Sequence, residues 1–157
     1  MELKPDPKMK KIYLVYMVIA ISLGVLSWTL PILIAFGSIP EVFYVMLYVD
    51  ILPTLIISIF ILYWIPKYYD SITYIIDEKK VMSVRGVWWK KESYIPLEKV
   101  INITMGQGPI QRYFGLVTLG FHTAAMGTPI PEVTFDHLPI DEAERIKKEV
   151  FEKLNLR

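Results

Sequence analysis

At 157 residues, 54% of them hydrophobic and with a mean hydropathy of +0.40, the chain has room for a membrane hairpin and one small domain, not for two large soluble units. Its formal net charge is +1 and no segment is basic enough to be a polyanion-binding tail, so no nucleic-acid partner is expected. The absence of cysteine excludes disulfides, thiolate nucleophiles and thiolate metal sites, and suits a reducing compartment.

Met1–Lys11 is polar, carries four Lys against two acids and contains Pro5 and Pro7, which oppose helix. It reads as a cytoplasmic lead-in of residues 1–11. A basic start before an apolar run also opens a signal peptide, but Ile12–Phe36 is longer than a signal core, a second apolar run follows and no A-x-A cleavage site appears. Ile12–Ile65 holds no Lys or Arg and only two acids, Glu41 and Asp50. As a helix, Ile12–Phe36 would reach about 37 Å, enough to cross a hydrocarbon layer of about 30 Å. Val42–Ile65 is the expected second span, closed by Trp64, Pro66, Lys67, Tyr68 and Tyr69, which suit a headgroup layer. Lys8, Lys10, Lys11 and Lys67 flank the pair, while the Gly37–Glu41 connection has no base. The positive-inside rule therefore makes residues 12–65 a multi-pass hairpin in the cell membrane with both termini cytoplasmic.

Asp50 is the acid well inside this stretch. An acid in hydrocarbon costs about 2.5–3.5 kcal/mol even on lenient scales, which makes it a functional suspect, as in an accessory or ion-coupled transporter subunit. The competing reading places Val42–Val49 partly in the interface, with Asp50 capping a helix start ahead of Pro53. The lack of any base in the spans favours the cap.

After the hairpin the apolar period changes to that of strands. Ser71–Asp77, Val81–Arg85, Val87–Ile95, Lys99–Met105, Leu116–Thr123 and Ile130–Asp136 are predicted as six short strands, with Trp89 and Ile95 sharing a face of the third. Such spacing indicates an antiparallel sandwich or small barrel. Ile140–Leu154 is a predicted amphipathic helix whose stripe is Ala143, Ile146, Val150 and Leu154, with acids early and lysines late. Residues 66–157 thus form the expected cytoplasmic domain.

Tyr74–Glu78, Arg85-Gly86, Ile95–Val100, Gln107–Leu116 (QGPIQRYFGL) and Thr123-Ala124, following two apolar spans, resemble the bacterial pleckstrin-homology (PH)-like domain family of the membrane-flanked type. The resemblance implies a bent antiparallel barrel of about seven strands closed at one end by a helix, and transfers no catalytic residue. A seventh strand is therefore expected, by a merger or in the loop after Ala124. Ala125–Pro129 departs from the small glycines that relatives often carry there.

Three constellations contain residue types that could carry chemistry. Gly106-Gln107-Gly108 with Arg112 could cradle a phosphate, but Gly-x-Gly is weak and no helix is expected after it, so a structural role is favoured. Arg85, Trp88, Lys90 and Lys91 flank a turn at Gly86 and could touch anionic lipid, against which Glu92 counts. His122 and His137 lack ligand-like spacing. No HExxH, GxSxG or Walker pattern occurs, so neither enzymatic activity nor a cofactor or metal is expected. The expected function is a membrane-anchored module making protein–protein or self-assembly contacts, with membrane lipid and a protein partner, a second copy included, as its contacts. Anionic-lipid binding by the domain is the alternative.

Overall fold

The computed structural model describes residues 1–36, 39–124 and 130–155 and separates the chain into two compact units. One is Tyr13–Pro66; the other joins Met1–Ile12 to Lys67–Arg157.

The first unit is built from helices α1 (Met9–Phe36, 28 residues) and α2 (Pro40–Asp70, 31 residues), both long and apolar enough to cross a membrane. Each runs past the apolar stretch, α1 beginning three residues before Ile12 and α2 continuing through Lys67. Leu23, Ile34, Tyr48 and Leu52 are among many large apolar side chains left exposed, so these helices are not the buried pair of a soluble core.

The second unit contains seven strands among the described residues, all paired antiparallel. They are β1 (Glu2–Leu3), β2 (Thr73–Ile76), β3 (Lys80–Arg85), β4 (Lys91–Pro96), β5 (Val100–Gly106), β6 (Leu116–Thr123) and β7 (Val133–Pro139). They form two sheets, β1-β2-β3-β4 and β5-β6-β7. This is the expected architecture, except that the seventh strand lies ahead of the hairpin rather than after Ala124. Glu2 pairs with Ile75 and Leu3 with Tyr74. Residues 125–129, where a departure from relatives was expected, lie outside the described residues. A short helix, α3 (Pro109–Phe114), precedes β6, and α4 (Ile140–Asn155) ends the described chain.

Alternation places Ile72, Tyr74, Ile76, Val81 and Ile95 inward from one sheet and Leu116, Leu119, Phe121, Val133 and Phe135 from the other. Tyr74 stacks on Phe135 at 4.5 Å between centroids, and Phe121 meets Phe135 edge-on at 5.0 Å. The Tyr74 hydroxyl donates to the Asp136 carbonyl at 3.0 Å and accepts the Asp136 N–H at 2.9 Å, and burial pushes its ionisation far above the ordinary range. Helix α4 packs its Ala143–Ile146–Val150 stripe, fully buried, on β6, β7 and the turn Leu97–Lys99. The side chain of Leu154 lies outside the described residues.

The chain before the hairpin is a structural member of this unit rather than a polar lead-in. Met9 and Ile12 are buried, the Asp6 N–H donates to the His137 carbonyl at 2.9 Å, and Lys10 Nζ sits 4.3 Å above the Tyr69 ring. His137 has φ 59°, and its Nδ1 lies 3.2 Å from Gln111 Nε2, so it joins the N-terminal segment, β7 and α3. Burial pushes its pKa below the usual histidine value, against the opposing influence of Asp136.

Two outcomes follow from this packing. Ile12→Ala, which removes a fully buried side chain, should destabilise the full chain by about 2–5 kcal/mol in denaturant unfolding in detergent, despite its position at the mouth of an apolar helix. Because His137 binds its proton less readily folded than unfolded, its contribution to stability is complete above about pH 6.5 and declines as pH falls toward the lowered folded value. His137→Asn keeps a residue type that tolerates positive φ and should flatten that decline in thermal unfolding scans between about pH 5 and pH 8.

Candidate functional site

The β3–β4 hairpin carries four of the residues singled out for lipid contact, and the fold sorts them. Arg85 and Lys91 are the register pair next to its turn. The chain from Gly86 to Lys90 is a turn, not the start of a strand, so β4 begins at Lys91 and Trp89 shares no strand face with Ile95. Gly86 has φ 120°, and a Cβ there would lie 2.0 Å from the Trp89 carbonyl oxygen, which makes the glycine a requirement of this turn. Its N–H donates to Ser71 Oγ at 3.2 Å, tying the turn to the residue just after α2. Trp88 and Trp89 then project with 68% and 84% of their surface exposed, their rings edge-to-face at 6.4 Å, beside exposed Lys90 and Lys91. Arg85 does not join them. Its guanidinium donates to Asp136 Oδ2 at 3.1 Å and to Thr134 Oγ1 at 2.7 Å on β7.

Gln107 and Arg112 belong to the other sheet, between β5 and β6. Contrary to expectation a helix, α3, does follow Gly108, though its six residues give it little dipole. The carboxamides here hold the chain to itself. Gln107 Nε2 donates to the Leu116 carbonyl at 2.9 Å; Gln111 accepts the Gly108 N–H at 3.0 Å and reaches Thr118 Oγ1 at 3.1 Å as well as His137. Gly115, at φ 69°, ends the helix in the left-handed conformation. Arg112 is exposed on α3, next to Tyr113 at 85% exposure. His122 Nε2 lies 3.0 Å from Thr104 Oγ1. Among the described residues no three His, Cys, Asp or Glu groups gather as a metal site would need.

Asp50 is not a helix cap: α2 begins at Pro40, and Asp50 lies ten residues inside it. Its Oδ1 is buried without a hydrogen-bond partner.

A feature that the strand pattern did not reveal lies along β5. That strand terminates its sheet, bonded to β6 on one side and to no strand on the other among the described residues. A bulge between Val100 and Asn102 turns Ile101 outward, 65% exposed, and leaves Ile103–Gly106 as the regular portion. Beside it runs an open groove of about 550 Å³, with Met105 and Phe151 as apolar surface and Glu144, Lys147, Lys148 and Glu152 of α4 around them. An edge strand flanked by a helix presents backbone donors and acceptors together with an apolar trough, the combination that accepts an extended peptide as an added strand. Sequence alternation identifies a strand but not its place at a sheet edge, so the groove has no signature in the sequence pattern.

Comparison with known proteins bears on this geometry. Over 81 residues, 52% of this chain, the sequence is 32% identical to the UPF0699 transmembrane protein YdbT of Bacillus subtilis (strain 168), and the alignment spans 16% of that protein's length. No solved structure matches. Neither finding indicates a catalytic family. The family model described as Bacterial PH domain matches residues 10–154, nearly the whole of the hairpin and the strands after it, and the chain accordingly belongs to the bacterial PH domain family.

Proposed function

We infer that this protein is a non-enzymatic, membrane-anchored PH-like module that makes protein contacts at the cytoplasmic membrane surface through the β5 edge and the adjoining α4 groove. The observation that carries the reading is the open edge of β5 beside exposed Met105 and Phe151. Polar side chains that a ligand site would need are instead committed to the fold, as with Gln107, Gln111 and Arg85. The occupant is an extended segment of another protein, with apolar residues at alternate positions and charges of both signs to answer Lys147, Lys148, Glu144 and Glu152. Anchoring supplies the high local concentration that lets a modest groove suffice.

Two crossings with both ends cytoplasmic fit the lysines flanking the hairpin. The pairing of β1 with β2 supports the same arrangement, since chain from before and after the hairpin has to reach one sheet. A second reading, contact with anionic lipid, is favoured by the Trp88-Trp89 tip with Lys90 and Lys91, because indole rings and lysines suit the headgroup layer.

A photo-crosslinking residue at Met105 of the full chain, activated in native membranes, should give a discrete adduct that is lost with Phe151→Asp and absent when the probe stands at Glu78. Equal yields at both positions would sink the groove reading, and an adduct of twice the chain's mass would make the partner a second copy. The cysteine-free chain also permits a single Ile39→Cys or Trp89→Cys to carry a polarity-sensitive thiol dye. Ile39 should label from outside and Trp89 from inside; labelling of both from one side would overturn the topology. The dye at Trp89 should shift to the blue in vesicles rich in phosphatidylglycerol and revert on Lys90→Gln with Lys91→Gln, and an unchanged spectrum would remove the lipid reading.

A further inference from the structure

Within the hairpin unit, α1 and α2 flank an open cleft of about 530 Å³ whose walls include Ala20, Gly24, Trp28, Asp50, Pro53 and Ile57. Apolar surface dominates it, yet the buried Asp50 Oδ1 has no hydrogen-bond partner. The nearby hydroxyls of α1 are directed at their own helix: Thr29 Oγ1 donates to the Val25 carbonyl and Ser27 Oγ to the Gly24 carbonyl at 2.8 Å. Pro53 has no N–H to give the carbonyl of Val49, which also lines the cleft. Trp28 and Thr54 also line the cleft, yet no hydrogen bond from either reaches Asp50 Oδ1, and Ile12–Ile65 contains no Lys, Arg or His to supply a charged donor. Asp50 stands about 15 Å along the axis from Pro40, near the middle of a hydrocarbon layer of about 30 Å, where such a group finds no water.

The shape of the cleft says what can enter. Ala20 and Gly24 are four residues apart and so share one face of α1, and a Cβ added at Gly24 would meet nothing within 4 Å. Small residues at this spacing let another helix come close enough for backbone contact.

We propose that the cleft seats a transmembrane helix from outside this chain that bears a lysine or arginine at mid-depth, paired with Asp50. A second copy does not fit, because it would bring another acid and no base. A lipid acyl chain would fill the volume but leave Oδ1 without a donor. The proposal rests on the hairpin spanning the membrane and is independent of the β5 groove.

The probe is a synthetic polyleucine helix with one central lysine, compared with its all-leucine twin, each mixed with the full chain in phosphatidylcholine vesicles and followed by energy transfer. The lysine helix should associate roughly tenfold more tightly than its twin. Asp50→Leu should abolish that preference by removing the acceptor. Gly24→Leu should abolish it by filling the cleft while leaving the acid in place, and the open space at Gly24 makes this variant compatible with the hairpin. Equal binding of the two probes, or a preference that survives either substitution, would overturn the proposal. So would self-association of the chain that Asp50→Leu removes, which would make a second copy the occupant. Resistance to alkaline extraction reports insertion separately. Extraction of the wild-type chain would overturn the spanning reading and this proposal with it, whereas an inserted hairpin without the lysine preference overturns this proposal alone.

Discussion

The structure depends on a pairing of two residues with two: Glu2 and Leu3 against Ile75 and Tyr74, strands separated in sequence by the entire apolar hairpin. Two residues of ladder are worth little alone, and burial of Met9 and Ile12 in the same unit supplies the apolar component. Together they require the chain to leave the β unit and return to it. A helical hairpin meets that requirement at low entropic cost, since closure entropy grows only logarithmically with the length of the insertion. The hairpin is therefore an insertion into one sheet, not a leader ahead of a separate domain.

With the unit closed this way, its polar side chains are largely spent internally. Gln107 and Gln111 fasten α3 to β6 and β7, His137 receives the N-terminal segment, and the Tyr74 hydroxyl satisfies both backbone groups of Asp136. The string QGPIQRYFGL, which carries most of the family resemblance, is thus accounted for by architecture. Among the exposed charges of the surface stand a few large aromatic and apolar side chains: Trp88 and Trp89 at the β3–β4 turn, Tyr113 on α3, and Met105 and Phe151 along the groove.

Periodicity was legible where elements are long and one face is buried. The expected strand Leu116–Thr123 has the bounds of β6, and the expected helix Ile140–Leu154 matches α4 within one residue, because alternation and the Ala143–Ile146–Val150 stripe each report a single buried face. It failed where the signal is shorter than a period or belongs to topology. Glu2–Leu3 is too short to alternate, and α3 sits behind a Gly-Pro pair that reads as a loop. Val87–Lys90 has the apolar content of a strand, but the positive φ of Gly86 commits the chain to a wider turn. Of the candidate site residues, Trp88, Lys90 and Lys91 share one tip, while Arg85 is drawn aside by Asp136, a partner 51 residues away that no local pattern announces.

Asp136 and Asp50 show why one carboxylate is informative and the other is not. Asp136 has Arg85 and Thr134 as partners, and the ion pair is about one-third exposed on each side, so solvent screening holds its value to about 1 kcal/mol or less. Its presence is explained by the fold. Asp50 has no partner, and in hydrocarbon would cost about 2.5–3.5 kcal/mol. The hairpin can carry that penalty, because each of its many Leu, Ile, Val and Phe residues favours insertion by about 0.3–0.6 kcal/mol. Carrying it is a different matter from needing it. Any apolar residue at position 50 would anchor the chain better, so the acid is the one part of the hairpin that anchoring does not account for.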